Sequence, residues 1–400
     1  MNKGIEIARG KTKILYEHPG QPEMLVVKQT DRLSAGDGAR RSEIAGKGRL
    51  AAQTTSRVFR LLNLCGLPTH FVNGGEDDDD NEMLVRRCNM IPLEVVVRGV
   101  VAGSLARRNP GLQRGGLLVP RMIEFFVKDD ANHDPQIAPD AIVSQGIASA
   151  AEVSAMSEMA RLAFEILAHA WRRRDVLLVD SKVEFGRIAS GDGKGSLVLA
   201  DVIDNDAWRI WPQGREDRML DKQIYRNLET VDEEALARVK SAYEQVAEMV
   251  GGFPVMRSGT VAIFGGDGDQ SERVELIAQA LGQYGLPAIR HVASASKTPG
   301  YVLQLVQQHD ATFPRLLYVA ASAGDAALHA MLSSATTNPV LNGDGDADDA
   351  ALQCAKIFAL EDTVLFGRTL LVQTNARSAV LHADAALNVQ LPMPPNSQIA

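Results

Sequence analysis

VDSKVEFG (residues 179–186) and LVLADVIDNDAWRIWPQG (197–214) decide how the first part of this chain folds. Each begins with β-branched and apolar residues, so each is expected to enter as a strand. Side chains alternate across a strand, which puts Asp180, Lys182 and Glu184 on one side, with Asp201 on a neighbouring strand where it can face them. Two carboxylates together with nucleotide phosphates form the oxygen-rich shell that Mg²⁺ favours. A cross-strand salt bridge among Lys182, Glu184 and Asp201 accounts for the same pattern without a metal.

Upstream, GKTKILYEHPG (10–20) reads as a polar hairpin and MLVVKQ (24–29) as a further strand, an α+β beginning. The hairpin's glycine and lysines allow backbone amides and Lys11 or Lys13 to approach phosphates; an exposed charged hairpin is the competing reading. DRLSAGDGARRSEIAGKG (31–48) surrounds Asp37 with small residues, as a ligand loop or a surface turn would. In RGVVAGSLARRNPG (98–111), Arg98 and Ser104 flank a small-residue stretch, and arginine suits bidentate phosphate binding. FFVKDDANHDPQ (125–136) crowds Lys128, Asp129, Asp130 and His133 after an apolar segment, either a solvated loop or the edge of a site.

Apolar residues Met159, Leu162, Ala163, Ile166, Leu167 and Ala170 fall on one face of a helix over 151–174, followed by VLLVD (176–180) as a short buried strand. Thr230 with Glu233 predicts a capping box opening a second helix that runs to Val250. GGFPVMRSGT (251–260) then separates two patterns. Beyond it, VAIFGG, AIRHVAS, RLLYVAAS and NPVL alternate with helical segments, the signature of a doubly wound α/β domain. Domains are expected over 1–252 and 259–400. The acidic runs Glu76 to Asp80 and GDGDADD (343–349) read as solvated loops.

Four hundred residues exceed one ordinary core, in keeping with two domains. A net charge of −8 argues against a nucleic-acid binder, and no apolar run is long enough for a bilayer, so a cytoplasmic enzyme without membrane or nucleic-acid partners is expected. Cys65, Cys88 and Cys354 lack metal-ligand spacing and read as free thiols.

GKTKILY, SAGDGARRSEIAGKG, NMIPLEVVVRGVVAGS, RRNPG, KDDANHDPQ, VDSKVEFG, LADVIDNDAWRIWP and DKQIYR occur in the order found in phosphoribosylaminoimidazole-succinocarboxamide synthase (SAICAR synthetase), which residues 4–250 resemble. The chain is particularly similar to the animal-type fusion of that synthetase with a phosphoribosylaminoimidazole carboxylase. The resemblance implies a two-lobed α+β fold akin to ATP-grasp and kinase folds, with ATP in the cleft. It implies ATP-dependent joining of L-aspartate to carboxyaminoimidazole ribonucleotide (CAIR) through an acyl phosphate. By the same resemblance, Lys11 and Lys13 lie at the nucleotide with Glu184, and Glu184 and Asp201 hold Mg²⁺. Lys182, Lys128 and Asp130 are implied at the reacting groups, and Asp37, Arg98, Ser104, Asp206 and Arg209 at the substrate. Asp221, Lys222 and Arg226 are further candidates.

Residues 261–390 resemble the carboxylase, a doubly wound, flavodoxin-like parallel-sheet domain, through GLPAIRHVASASKTP (285–299), the strand–helix order and a terminal AKIFAL helix (355–360). The family's Gly-Ser-x-Ser-Asp phosphate turn stands here as Gly265-Gly266-Asp267-Gly268-Asp269, and Ser296 replaces its proton-handling histidine. SAGDAALHAML (322–332) replaces a glycine-rich loop, and NGDGDADDA (342–350) a longer segment. Loss of carboxylase chemistry is expected, His291 and His329 being the remaining histidines that could substitute. The domain is expected to serve homo-oligomer assembly or regulation. A fully bifunctional enzyme and a scaffold pseudoenzyme are the alternatives.

Overall fold

The computed structural model describes residues 1–35, 40–77, 80–257, 259–324 and 326–388. The chain divides into two compact units, Met1–Val255 and Met256–Ala400.

In the first unit a five-stranded antiparallel sheet runs in the order Glu6–Arg9, Lys13–Glu17, Met24–Gln29, Glu82–Arg86, Phe71–Gly74. Helix Lys47–Cys65 packs against it, burying Leu50, Val58, Phe59, Leu61 and Leu62. That helix ends at Gly66, whose φ of +94° lets its N–H turn back to the Asn63 and Leu62 carbonyls.

A second antiparallel sheet has the order Gln136–Ile137, Leu117–Val127, Cys88–Val100, Val176–Ile188, Leu197–Ala200, and Trp208–Pro212 also pairs with Val176–Ile188. VLLVD and VDSKVEFG therefore form one 13-residue strand, not a short strand and a separate one. Ile91, Leu93, Val95 and Val97 alternate toward helix Ala150–Arg172 and are fully buried. The helix presents Met156, Ala160, Ala163, Phe164, Leu167 and Trp171 to the interior and is opened by a capping box between Ser149 and Glu152. The opposite face of this sheet is left for Glu94, Val96 and Arg98.

Helix Glu233–Val250 packs on Lys47–Cys65. Its cap is Asp232, which accepts from the Ala235 N–H at 2.8 Å, and not Thr230. Asp232 stands immediately before Glu233, so its short side chain reaches the first free amides that Thr230 is too far back to meet.

The second unit is a four-stranded parallel sheet in the order Ala288–Val292, Thr260–Gly265, Leu316–Ala321, Val340–Asn342. One face packs against Ser271–Gly282 and Ala347–Ala359, the other against Pro299–Thr312 and Ala326–Ala335, so two apolar layers sandwich the sheet. AKIFAL is not terminal: a 26-residue helix, Thr363–Asn388, follows it. The acidic run 343–349 is not a freely solvated loop either, since Asp346 caps helix Ala347–Ala359 by accepting from the Asp348 N–H at 2.7 Å. In the earlier acidic run, Asp80 accepts from the N–H groups of Gly75 (3.0 Å) and Glu82 (2.9 Å). Among the described residues no helix is long and apolar enough to cross a membrane.

His291 and His309 lie with their Nε2 atoms 3.2 Å apart and rings stacked at 4.9 Å, beside Phe264 and Tyr318. Burial lowers both imidazoles below their ordinary pKa, the neighbouring ring adding to this at His291 and Asp310 opposing it at His309. The folded unit therefore resists protons that the unfolded chain accepts, and stability present at neutral pH is lost as pH falls through the unfolded value of about 6.5. Denaturant melts are expected to show the second unit weakening between neutral and mildly acidic pH, with a smaller slope in His309→Gln; equal slopes would contradict the assignment.

Candidate active site

The open face of the second sheet collects charge because its register brings alternate positions of several strands together. Asp180 pairs with Arg98 on one side and Arg209 on the other, while Glu184 stands opposite Glu94 and Ala200. Arg98, only 3% exposed, donates to Asp180 at 3.2 Å, to Ser104 Oγ at 3.2 Å and to Glu124. Arg209 donates to the same Asp180 carboxylate at 2.8 and 3.1 Å. One buried carboxylate thus holds two guanidiniums at the wall of a cavity of about 500 Å³, which Ser104, Lys182, Asp206 and Arg226 also line. Fixed guanidiniums of this kind suit bidentate recognition of a phosphate or carboxylate.

Beside this wall, Lys182 donates to Glu94 at 2.5 Å and lies 3.7 Å from Glu184, and Lys128 donates to Glu184 at 2.5 Å. Lys13, from the first sheet, pairs with Asp201. Burial would push the Glu184 carboxyl up, but Lys182, Lys128 and Lys13 outweigh it and hold it below the ordinary range. For Lys182 burial acts downward and is overcome by Glu94 and Glu184, which keep the ammonium charged. Lys13 goes the other way: burial, aided by Lys128 and Lys182 and opposed by Glu184, brings it down to about 8.

Because kcat/KM reports the free enzyme, an alkaline limb is expected as Lys13 loses its proton, at a pH that burial lowers and the ion pair with Asp201 raises. Lys13→Arg should move that limb upward, and an unchanged pH profile in the variant would detach Lys13 from it.

Asp201 is not on the strand but one residue past the end of Leu197–Ala200, with φ at +65°. Its carbonyl accepts from His70 Nε2 at 3.0 Å. Burial, then Lys13 and Arg86, bring His70 down to about 3, so the imidazole stays neutral and serves as a fixed donor. Among the described residues no cluster of three or more His, Cys, Asp or Glu side chains could cage a metal. Lys13 instead pairs with Asp201 and its charge acts on Glu184, so these two carboxylates stand near one cation.

Other sequence-named residues are placed differently. Lys11 is exposed in the hairpin and lines a separate hollow with Gly10 and Arg41. Asp206 accepts from Lys222 and from Tyr243 Oη, each at 2.6 Å; burial pushes it up, and Lys47, Lys222 and Tyr243 bring it well down. Asp221 turns to the backbone N–H groups of Ile210 (3.1 Å) and Gln223 (2.9 Å), and burial raises it to about 6, so it braces the strand instead of lining the cavity. Asp130 opens a short 3-10 turn, its side chain lying outside the described positions, and Asp37 lies outside the described residues altogether.

Glu94 and Glu124 were not singled out by sequence, although each is an acid at an alternate position of an otherwise apolar strand, the pattern that exposes a site face. Lys47, in the same stretch as Asp37, is another such residue. It is 1% exposed with no hydrogen-bond partner on Nζ among the described residues, 5.5 Å above the Tyr243 ring, and its charge acts on Asp204 and Asp206. Nothing local to its glycine-flanked position announced that burial.

A mixed α/β chain whose antiparallel sheet sets paired arginines beside a lysine–carboxylate cluster has the equipment of an enzyme acting on phosphorylated substrates. The chain belongs to the SAICAR synthetase family, which it matches over residues 6–246. It is 54% identical over 251 residues to the phosphoribosylaminoimidazole-succinocarboxamide synthase of Chloroflexus aurantiacus, covering 63% of this chain and 98% of that protein. It is 37% identical over 345 residues to the bifunctional phosphoribosylaminoimidazole carboxylase/phosphoribosylaminoimidazole succinocarboxamide synthetase of Drosophila melanogaster, covering 85% of this chain and 79% of that one. A solved type-2 SAICAR synthetase in complex with ADP superposes with a TM-score of 0.54 at 35% identity, over 62% of this chain and 98% of its own.

Proposed function

We propose that the first unit is a ligase of purine biosynthesis that joins L-aspartate to the carboxylate of CAIR, converting ATP to ADP and phosphate. The observation that carries this is the juxtaposition of the Arg98–Asp180–Arg209 wall with the lysines around Glu184. A free carboxylate acylates poorly, so it must take the γ-phosphoryl group before an amine displaces it. Phosphoryl transfer depends on alignment and charge stabilisation, which fixed cations provide. Arg98, Arg209 and Ser104 hold the ribonucleotide; Lys182 and Lys128 face the reacting oxygens, and Lys13 faces the nucleotide. Glu184 and Asp201 would hold Mg²⁺, which neutralises phosphate charge when bound. Nucleotide between the lobes of a kinase-like fold agrees with Lys13 standing in the first sheet and Lys128 directly after a strand of the second. ADP release requiring both aspartate and CAIR is the test; release independent of aspartate would refute the ligase assignment.

The second unit is proposed to be a flavodoxin-like, non-catalytic domain serving homo-oligomer assembly. His291 is stacked on His309 among aromatic rings, and Ser296 shares its hydroxyl with Ser294 Oγ at 3.2 Å. The double name of the Drosophila relative favours a second, bifunctional reading. Carboxylation of aminoimidazole ribonucleotide by the full chain, abolished by His291→Ala, would establish that reading in its place. Light scattering on the full chain and on residues 1–255 tests assembly, and equal association states would exclude it.

A further inference from the structure

At the carboxyl edge of the parallel sheet the chain leaves strand Leu316–Ala321 through Ser322, Ala323 and Gly324. Ala323 (φ +53°) and Gly324 (φ +89°) are both left-handed, and consecutive amides in such a turn converge on a concavity suited to an anion. Its occupant comes from the loop after the next strand, Val340–Asn342. Asp344 Oδ1 accepts from the N–H groups of Ser322 (2.6 Å) and Ala323 (2.8 Å), and Oδ2 from the Gly324 N–H (2.9 Å) and Ser322 Oγ (3.4 Å). The loop that delivers it is itself held: Asp344 N–H donates to Asn342 Oδ1 at 2.8 Å, and Arg273 Nε donates to the Gly343 carbonyl at 2.8 Å. These amides hold the Asp344 carboxyl below its ordinary pKa although burial acts in the other direction.

The position matters because open parallel sheets take their ligands at the carboxyl ends of the strands. The turn after Thr260–Gly265 adjoins the same place, its Gly266 N–H bonding the Ala321 carbonyl at 3.0 Å, and it carries Asp267 and Asp269. We propose that the Ser322–Gly324 amides form an oxyanion site whose ligand is internal, the Asp344 carboxylate, so that this edge of the second unit is closed to phosphate-bearing molecules. The interaction spans 20 to 22 positions, so it also ties the last strand's loop to the preceding one. The inference stands independently of the ligase assigned to the first unit.

Hydrogen exchange followed by mass spectrometry on the full chain tests this peptide by peptide, and so separates the second unit from phosphate binding in the first. In the wild type, amides 322–324 are expected to exchange slowly and identically in inorganic phosphate and in chloride at matched ionic strength. In Asp344→Ala they are expected to exchange about tenfold faster in chloride and to be slowed by phosphate. If Asp344→Ala unfolds the whole unit, seen as loss of protection throughout 260–380, the near-isosteric Asp344→Asn decides: it keeps one oxygen acceptor, so partial loss restored by phosphate is expected. Unchanged exchange in the variant that folds, no slowing by phosphate beyond chloride, or equal slowing of wild type and variant would each overturn the proposal.

Discussion

Glu184→Gln is expected to lower kcat by about 10²–10³, measured as ADP release dependent on both aspartate and CAIR, and to raise the Mg²⁺ concentration needed for half-maximal rate. Glutamine keeps the shape of a side chain that is 4% exposed but removes the charge facing Lys182, Lys128 and Lys13. Those three cations then share Glu94 and Asp201, and with less compensation Lys13 gives up its proton more readily still. A loss in kcat with little change in KM for CAIR is expected, because the Arg98–Asp180–Arg209 wall is untouched. Asp201→Asn should behave similarly. If both variants kept the wild-type rate and Mg²⁺ response, these carboxylates would not be the metal site.

Arg98→Met is expected to act on stability and binding together. It removes the cation that serves both Asp180 and Glu124, which are 5% and 7% exposed. Breaking one partner out of a buried ionic network costs about 3–5 kcal/mol. The low end is expected here, since Asp180 keeps Arg209 and Glu124 keeps Arg108 at 2.6 Å. Denaturant unfolding of the first unit reads the loss, and a large rise in KM for CAIR in the variant that remains folded reads the proposed phosphate contact. Arg98→Lys should recover part of the stability but little of the affinity, because an ammonium cannot span Asp180, Glu124 and Ser104 at once. Wild-type KM in either variant would remove Arg98 from the substrate wall.

Both predictions concern residues that stood out in the sequence, as did most of their partners; the acids Glu94 and Glu124 did not. Alternation along VDSKVEFG was enough to put Asp180, Lys182 and Glu184 on one face, because side-chain direction in a strand is a property of the strand itself. The same logic carried Asp201 one residue too far, onto a strand that had already ended at Ala200 in favour of a left-handed turn stabilised by His70. Thr230 and Asp232 are both capping residues by type, and the point at which the helix starts, Glu233, selects Asp232.

The acidic stretch 343–349 shows the limit from the other side. By composition it is a solvated loop; in the fold Asp346 caps a helix and Asp344 fills a ring of amides contributed from twenty positions away. Likewise nothing beside Lys47 in the chain signals burial, and it is sealed above Tyr243 with its charge acting on Asp204 and Asp206.

By itself the sequence determined the two differently patterned regions, the parallel and antiparallel character of their sheets, the face on which the chemistry-bearing residues of each strand lie, and the family. Periodicity and turn chemistry are local, and a strand or helix expresses them wherever it packs. Only the tertiary structure decided which charges meet: Arg98 and Asp180 are 82 positions apart, Lys182 and Glu94 are 88 apart, and Asp344 lies beyond a whole helix from the amides it satisfies. Ion pairing falls off over a few ångströms, so it is set by strand register and loop closure between distant segments, which no local pattern encodes.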